Sequence, residues 1–138
     1  MDALKVFKEI MAAHTEIALA TCSESFPNVR IVNFHYSESK KCLYFSSFLQ
    51  NPKVSELELN PKVAFTTIPH SGNRHVRGTG IAKKSEMTIF DLEEAFTLKI
   101  PDYGETIKSA GEYLILYEIA VETVVVTGSM QEIEALTL

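Results

Sequence analysis

The 138-residue sequence predicts a small α+β barrel. About six short segments are rich in β-branched and aromatic residues and bounded by turn residues. Several are separated by only a few residues, which permits antiparallel hairpins but no parallel crossover. Helical periodicity is confined to the N-terminus, a stretch after residue 51 and the region 85–110, so strands and helices do not alternate as in a βαβ fold.

Residues 2–13 read as a helix whose apolar stripe is Leu4, Phe7, Ile10 and Met11. Ile17 to Cys22 is a short apolar strand, and Ser23 to Asn28 a turn. Val29 to Tyr36 and Cys42 to Phe48 are strands joined by the polar turn at 37–41. Asn51 suits the N-cap, and Pro52 the first position, of a short helix to Leu59. Val63 to Ile68 follows as a strand. The strand from His75 to Lys83 contains Gly78 and Gly80, which mark a bulge or a close backbone approach. Ser85 starts a helix to about Lys99, striped with Ile89, Leu92 and Phe96 and stopped by Pro101. Asp102 and Glu105 have capping-box spacing for a helix to Ala110, with Gly111 as its stop. Tyr113 to Thr127 is one bent strand or two strands broken near Glu122, and Gly128 to Leu138 carries little pattern.

A net charge of −5 without a basic block argues against nucleic-acid binding, which needs concentrated positive charge. The N-terminus lacks a signal-peptide core and no apolar run has bilayer-spanning length, so a cytoplasmic chain of one domain, residues 1–138, is expected. Cys22 and Cys42 are too few for a disulfide framework and read as reduced, buried thiols.

Residues 27–53 carry the functional signal. Arg30 begins one strand, Ser46 and Ser47 end the next, and Lys53 opens the following helix. A hairpin brings these together as a pocket for a phosphorylated ligand. Arg30 offers a planar fork of donors, the serines hydroxyls, Lys53 a point charge, and the helix start its free N–H groups. A cation in the first turn of a helix costs roughly 0.3–1 kcal/mol, and a bound anion reverses that sign. Each residue also has a plain reading: a solvated lysine, a rim arginine, ordinary strand-end serines. On a regular strand Ser46 and Ser47 point to opposite faces.

Several motifs occur in order: Pro27-x-Val29-Arg30-x-Val32, Leu43-Tyr44-Phe45-Ser46-Ser47, Pro52-Lys53, Asn60-Pro61-Lys62-Val63-Ala64 and Val76-Arg77-Gly78-x-Gly80-x-Ala82. Together, over roughly residues 10–120, they resemble the pyridoxamine 5′-phosphate oxidase-like, FMN-binding split-barrel superfamily. The resemblance implies a six-stranded antiparallel split β-barrel of Greek-key type with two to four flanking helices. It implies a homodimer with FMN in clefts at the interface. By position, Arg30 meets the FMN phosphate or ribityl chain, and the backbone of Ile31, Val32 and Asn33 lies along the isoalloxazine edge. Ser46 and Ser47 match hydroxyl positions near the phosphate and ribityl group, and Lys53 matches the phosphate lysine. His75 falls where a polar side chain approaches the ring, from the second subunit.

Two departures matter. Many members place Arg before the phosphate lysine, where this chain has Pro52. The vitamin B6 oxidases carry a C-terminal Trp and substrate-binding Arg, and this chain has no Trp and ends in an acidic, aliphatic segment, so that activity is rejected. The expected function is an FMN-dependent oxidoreductase on a small molecule. The alternatives are a non-enzymatic flavin- or haem-binding module, or a deazaflavin-dependent reductase. No catalytic side chain is assigned. His75 is the candidate proton donor, with a rim histidine as the plain alternative.

No metal is expected, because Cys22, Cys42, His35 and His70 match no zinc spacing. His35 reads as a strand histidine or a haem ligand. Gly78 and Gly80 lie inside a strand and form no nucleotide fingerprint.

Overall fold

The computed structural model describes residues Met1–Leu138. Its elements are α1 (Ala3–Ala13), β1 (Glu16–Ser23), β2 (Phe26–Asn33), β3 (His35–Ser37), β4 (Cys42–Phe48), α2 (Pro52–Leu59), β5 (Lys62–Thr67), β6 (His75–Lys84), α3 (Glu93–Lys99), α4 (Tyr103–Ala110), β7 (Leu114–Ala120), β8 (Thr123–Ser129) and β9 (Glu132–Thr137). All ladders are antiparallel, in the order β2-β1-β5-β6-β7-β4-β3, with β8 on β6 and β9 on β8. The sheet curls, and β2 approaches β4 without pairing with it. The seam between them makes this a split barrel, bridged by the chain itself where Phe34 links β2 to β3.

The curl is built at β6. Its residues 75–78 pair with β8 and its residues 82–84 with β7, while β5 runs along the other edge. Gly80 sits where one partner gives way to the other. A Cβ there would lie 2.5 Å from Ile119 Cγ2, so the strand packs closer than any side chain allows. Of the two readings of this glycine pair, close approach is the observed one.

The main core joins the inner faces of both sheet halves to α1, through Phe7, Ile10 and Met11. The inward stripe of α1 includes Ala3 in place of the expected Leu4, which is exposed. A second cluster, including Tyr44, Ile89, Phe96, Ile107 and Leu116, packs α3 and α4 on the outside of β4 and β7.

Several boundaries differ from expectation for local reasons. The β1–β2 turn is only Glu24-Ser25, both with positive φ, so β2 begins at Phe26. Pro27 is tolerated within β2 because that strand is a sheet edge. The helix expected from Ser85 begins later, as a 3₁₀ turn at Ile89–Leu92 running into α3. There the Asp91 carboxylate accepts the Thr88 N–H at 2.8 Å. Asp102 is already helical in backbone and its side chain caps nothing, which corrects the capping-box expectation at α4. The segment 113–127 is two strands, β7 and β8. The unexpected β9 is largely exposed along its length, so it carries no alternation for a sequence to show.

Candidate functional site

The candidate site is built from β1, β2, β4 and α2. Arg30 stands on the inward face of β2, opposite Leu19 of β1. Thr21 and Asn28 form the next inward-facing pair toward the turn. All three side chains converge on Glu56 of α2. Arg30 Nη2 lies 3.1 Å from Glu56 Oε2, the Thr21 hydroxyl donates to the same oxygen, and Asn28 Nδ2 donates to Oε1 at 3.2 Å. The Thr21 hydroxyl foremost, and then the Arg30 charge, hold the Glu56 carboxyl below its usual range against desolvation. Arg30 makes these contacts through Nη2 alone, which leaves its other donors unengaged.

Lys53 sits one turn before Glu56 on the same helix. As expected, Asn51 is the N-cap, accepting the Lys53 backbone N–H at 2.9 Å, and Pro52 occupies the first turn. The side chain is not a solvated surface lysine. It is only 4% exposed, and Nζ lies 5.5 Å from the centroid of the Phe45 ring. It has no carboxylate partner. Burial first, and Arg30 second, push its pKa down to about 8. Arg30 and Lys53 are therefore neighbouring cations, and the one carboxylate beside them, Glu56, is bonded to Arg30.

Ser47 shares the β4 face of Phe45, and its hydroxyl is buried without a hydrogen-bond partner. The Tyr117 hydroxyl is likewise buried and unpartnered, on a ring stacked 5.3 Å from Phe45. Ser46 points the other way, as strand alternation requires, and its hydroxyl bonds that of Tyr103 beneath α4. The two serines thus serve different faces. Ile31 and Asn33 face outward from β2 and Val32 inward. Because β2 is an edge, alternate backbone N–H and C=O groups of 31–33 are free of the β1 ladder. An anion suits this set of two cations and an orphaned hydroxyl beside an unpaired strand edge.

His75 lies elsewhere. Gly78, Phe65, Leu19 and Arg30 form one row across four strands. His75 is three residues along β6 from that row, so it stands about 10 Å along and about 14 Å across the sheet from Arg30. Its Nδ1 is 2.7 Å from the Asn73 carbonyl oxygen. Within one chain it does not join the pocket.

Glu56, Thr21, Asn28 and Tyr117 are pocket residues that sequence reasoning missed. Glu56 had a signal, since its spacing of three from Lys53 puts both on one face of α2. His35 packs near the rings of Tyr44 and Phe96, and burial and then Lys99 lower its pKa. No group of three or more His, Cys, Asp and Glu side chains is placed to hold a metal. No helix is long and apolar enough to cross a membrane.

The outer face of the same sheet is open and apolar. A groove of about 490 Å³ runs over Ala18, Ala20, Val29, Ala64, Gly78 and Val125. Val29, Ile31 and Ile81 are exposed beside it at 70%, 52% and 53%.

Solved structures share this fold. The General Stress Protein 26 from Bacillus anthracis superposes with a TM-score of 0.78 at 18% identity, over 100% of both chains. The haem storage protein HutZ from Vibrio cholerae gives 0.76 at 14% identity, over 96% of this chain and 100% of that one. An FAD-binding protein from Mesorhizobium loti gives 0.66 at 19% identity, over 90% and 92%. A search of curated protein sequences finds no match. The family profile described as pyridoxamine 5′-phosphate oxidase-like matches residues 10–132, most of the chain. The chain belongs to the pyridoxamine 5′-phosphate oxidase-like family.

Proposed function

We propose that this protein binds FMN and acts as an FMN-dependent oxidoreductase on a small molecule, as a homodimer. The observation that carries the reading is Lys53, a buried cation with no anion of its own beside Arg30. Burying a charge without a partner is costly, and a ligand phosphate removes that cost. Lys53 and Arg30 hold the phosphate, Ser47 supplies a hydroxyl, and the free edge of β2 at Ile31, Val32 and Asn33 lies along the flavin ring. Ser46, tied to Tyr103, supports β4 from behind.

FMN supplies the redox chemistry when bound, and the protein binds, orients and tunes it. Backbone N–H groups on the β2 edge face the ring and favour negative charge there. The exposed apolar groove and its rim of Val29, Ile31 and Ile81 form the contact with a second copy. That contact sets His75 of the second subunit toward the ring, as its proton donor.

The structural likeness to a haem storage protein supports a second reading, a non-enzymatic haem module. Absorption of the purified protein separates the two. Flavin bands near ~370 and ~450 nm, retained or restored by titration with FMN, support the first reading. A Soret band without flavin binding supports the second.

A further inference from the structure

Glu56 changes the charge of the phosphate pocket, and this bears on which phosphate it accepts. Arg30 and Lys53 bring two positive charges, and Glu56 cancels one of them at 3.1 Å from Arg30. The nearest further acid on α2, Glu58, pairs with Lys84 at 3.6 Å, so it adds no net charge. The pocket carries one net positive charge.

Glu56 is not free to leave on small provocation. Both carboxylate oxygens are engaged, by Thr21, Arg30 and Asn28, and these tie α2 to the β1–β2 hairpin. Lys53 is buried and Glu56 is half-buried beside Arg30, so solvent screens this group of charges less than it would on an open surface. A phosphate held by the remaining donors of Arg30 and by Lys53 lies within a few ångströms of a fixed carboxylate. A dianion feels that repulsion about twice as strongly as a monoanion.

We propose that Glu56 sets the charge selectivity of this site, making it a site for a phosphate group bearing a single negative charge. That group is either a phosphodiester or a phosphomonoester in its singly ionised form. The proposal rests on the flavin-phosphate reading for its ligand and adds a residue and a charge preference to it. Glu56 acts on the ligand through space and through Arg30, so it is a specificity residue with no part in redox chemistry.

The test compares wild type with Glu56→Gln, which keeps an acceptor for Thr21 and Arg30 and loses the charge together with the acceptor for Asn28 Nδ2. Both are titrated with FMN and with riboflavin at pH 7, where the FMN phosphate is mainly a dianion and Lys53 is charged, and flavin fluorescence is read. Thermal melting confirms that both are folded. The expected result is FMN binding roughly tenfold tighter in Glu56→Gln with riboflavin unchanged, the size a removed charge a few ångströms away produces. Unchanged or weaker FMN binding overturns the proposal and leaves the flavin reading standing. If neither protein binds a flavin, the flavin reading fails, and inorganic phosphate decides the rest by thermal shift. A larger stabilisation of Glu56→Gln by phosphate upholds the charge account, and an equal or smaller one overturns it.

Discussion

Lys53 Nζ lies 5.5 Å from the centroid of the Phe45 ring, in a side chain that is 4% exposed and has no carboxylate partner. That relationship links stability to binding. The pKa near 8, down from 10.5, means that the unfolded chain holds this proton more tightly than the folded one. The charged lysine costs the fold about 3 kcal/mol at neutral pH by this linkage. Stability therefore rises with pH between about 8 and 10.5 as the proton leaves.

Lys53→Met removes the buried charge and keeps the volume. It should stabilise the ligand-free protein by about 1–3 kcal/mol and flatten the rise in stability above pH 8. The same variant should bind FMN more weakly than wild type. Urea unfolding across pH and a flavin titration check the two halves. A variant less stable than wild type would contradict the account of Lys53 as an unpaired buried cation.

Gly80→Ala tests the barrel corner. The new Cβ would lie 2.5 Å from Ile119 Cγ2, and Ile119 is fully buried, so strand or side chain must shift. Overpacking of this kind costs about 1–3 kcal/mol. Gly72→Ala is a poor comparison because Gly72 has φ +63. Urea midpoints of wild type and Gly80→Ala measure the cost, and an unchanged midpoint would mean that the corner has slack.

How legible this was in the sequence differs by element. The two glycines, the Asn51-Pro52 cap and the hairpin strands rest on local chemistry, and the structure has them where that chemistry puts them. Elements defined by distant partners were not legible. β9 is held by its ladder to β8, with mostly exposed residues that give no alternation. In the pocket, Arg30 and Lys53 were visible as charges at strand and helix starts. Their convergence follows from the hairpin, but the carboxylate that ties Arg30 to α2 does not, because it depends on Glu56 meeting Thr21 and Asn28 across 35 and 28 residues of chain. Strand alternation foretold that Ser46 and Ser47 would diverge, and β4 stays regular through both.

Acid should weaken this fold through His14. Its ring stacks on His70 with centroids 4.1 Å apart, and its Nδ1 is buried without a partner. Burial foremost, and then the His70 charge, lower its pKa below 6.5. The folded chain thus takes up this proton less readily than the unfolded one. The contribution is intact above pH 6.5 and is lost progressively as pH falls below it toward the folded value. His14→Phe should show a shallower fall in urea midpoint between pH 7 and 5 than wild type. An identical fall would assign the acid sensitivity elsewhere.

The outer face of β2 should govern assembly. Ile31 is 52% exposed on the rim of the apolar groove. Ile31→Asp places a charge where the second copy is proposed to sit, and burying an unpaired charge is strongly unfavourable. Light scattering should give a dimer for wild type and a monomer for the variant. A wild-type monomer at micromolar concentration would contradict the homodimer, and an unchanged dimer would move the contact to another face.

The proposed role of Arg30 and Lys53 is to hold a ligand phosphate attached to a flavin. Its most direct test is a fluorescence titration of wild type and Arg30→Ala with FMN and riboflavin. Wild type should bind FMN saturably and more tightly than riboflavin. Arg30→Ala should weaken FMN by about 1.5–3 kcal/mol and leave riboflavin nearly unchanged. No saturable flavin binding, or equal affinity for FMN and riboflavin in both proteins, would contradict it.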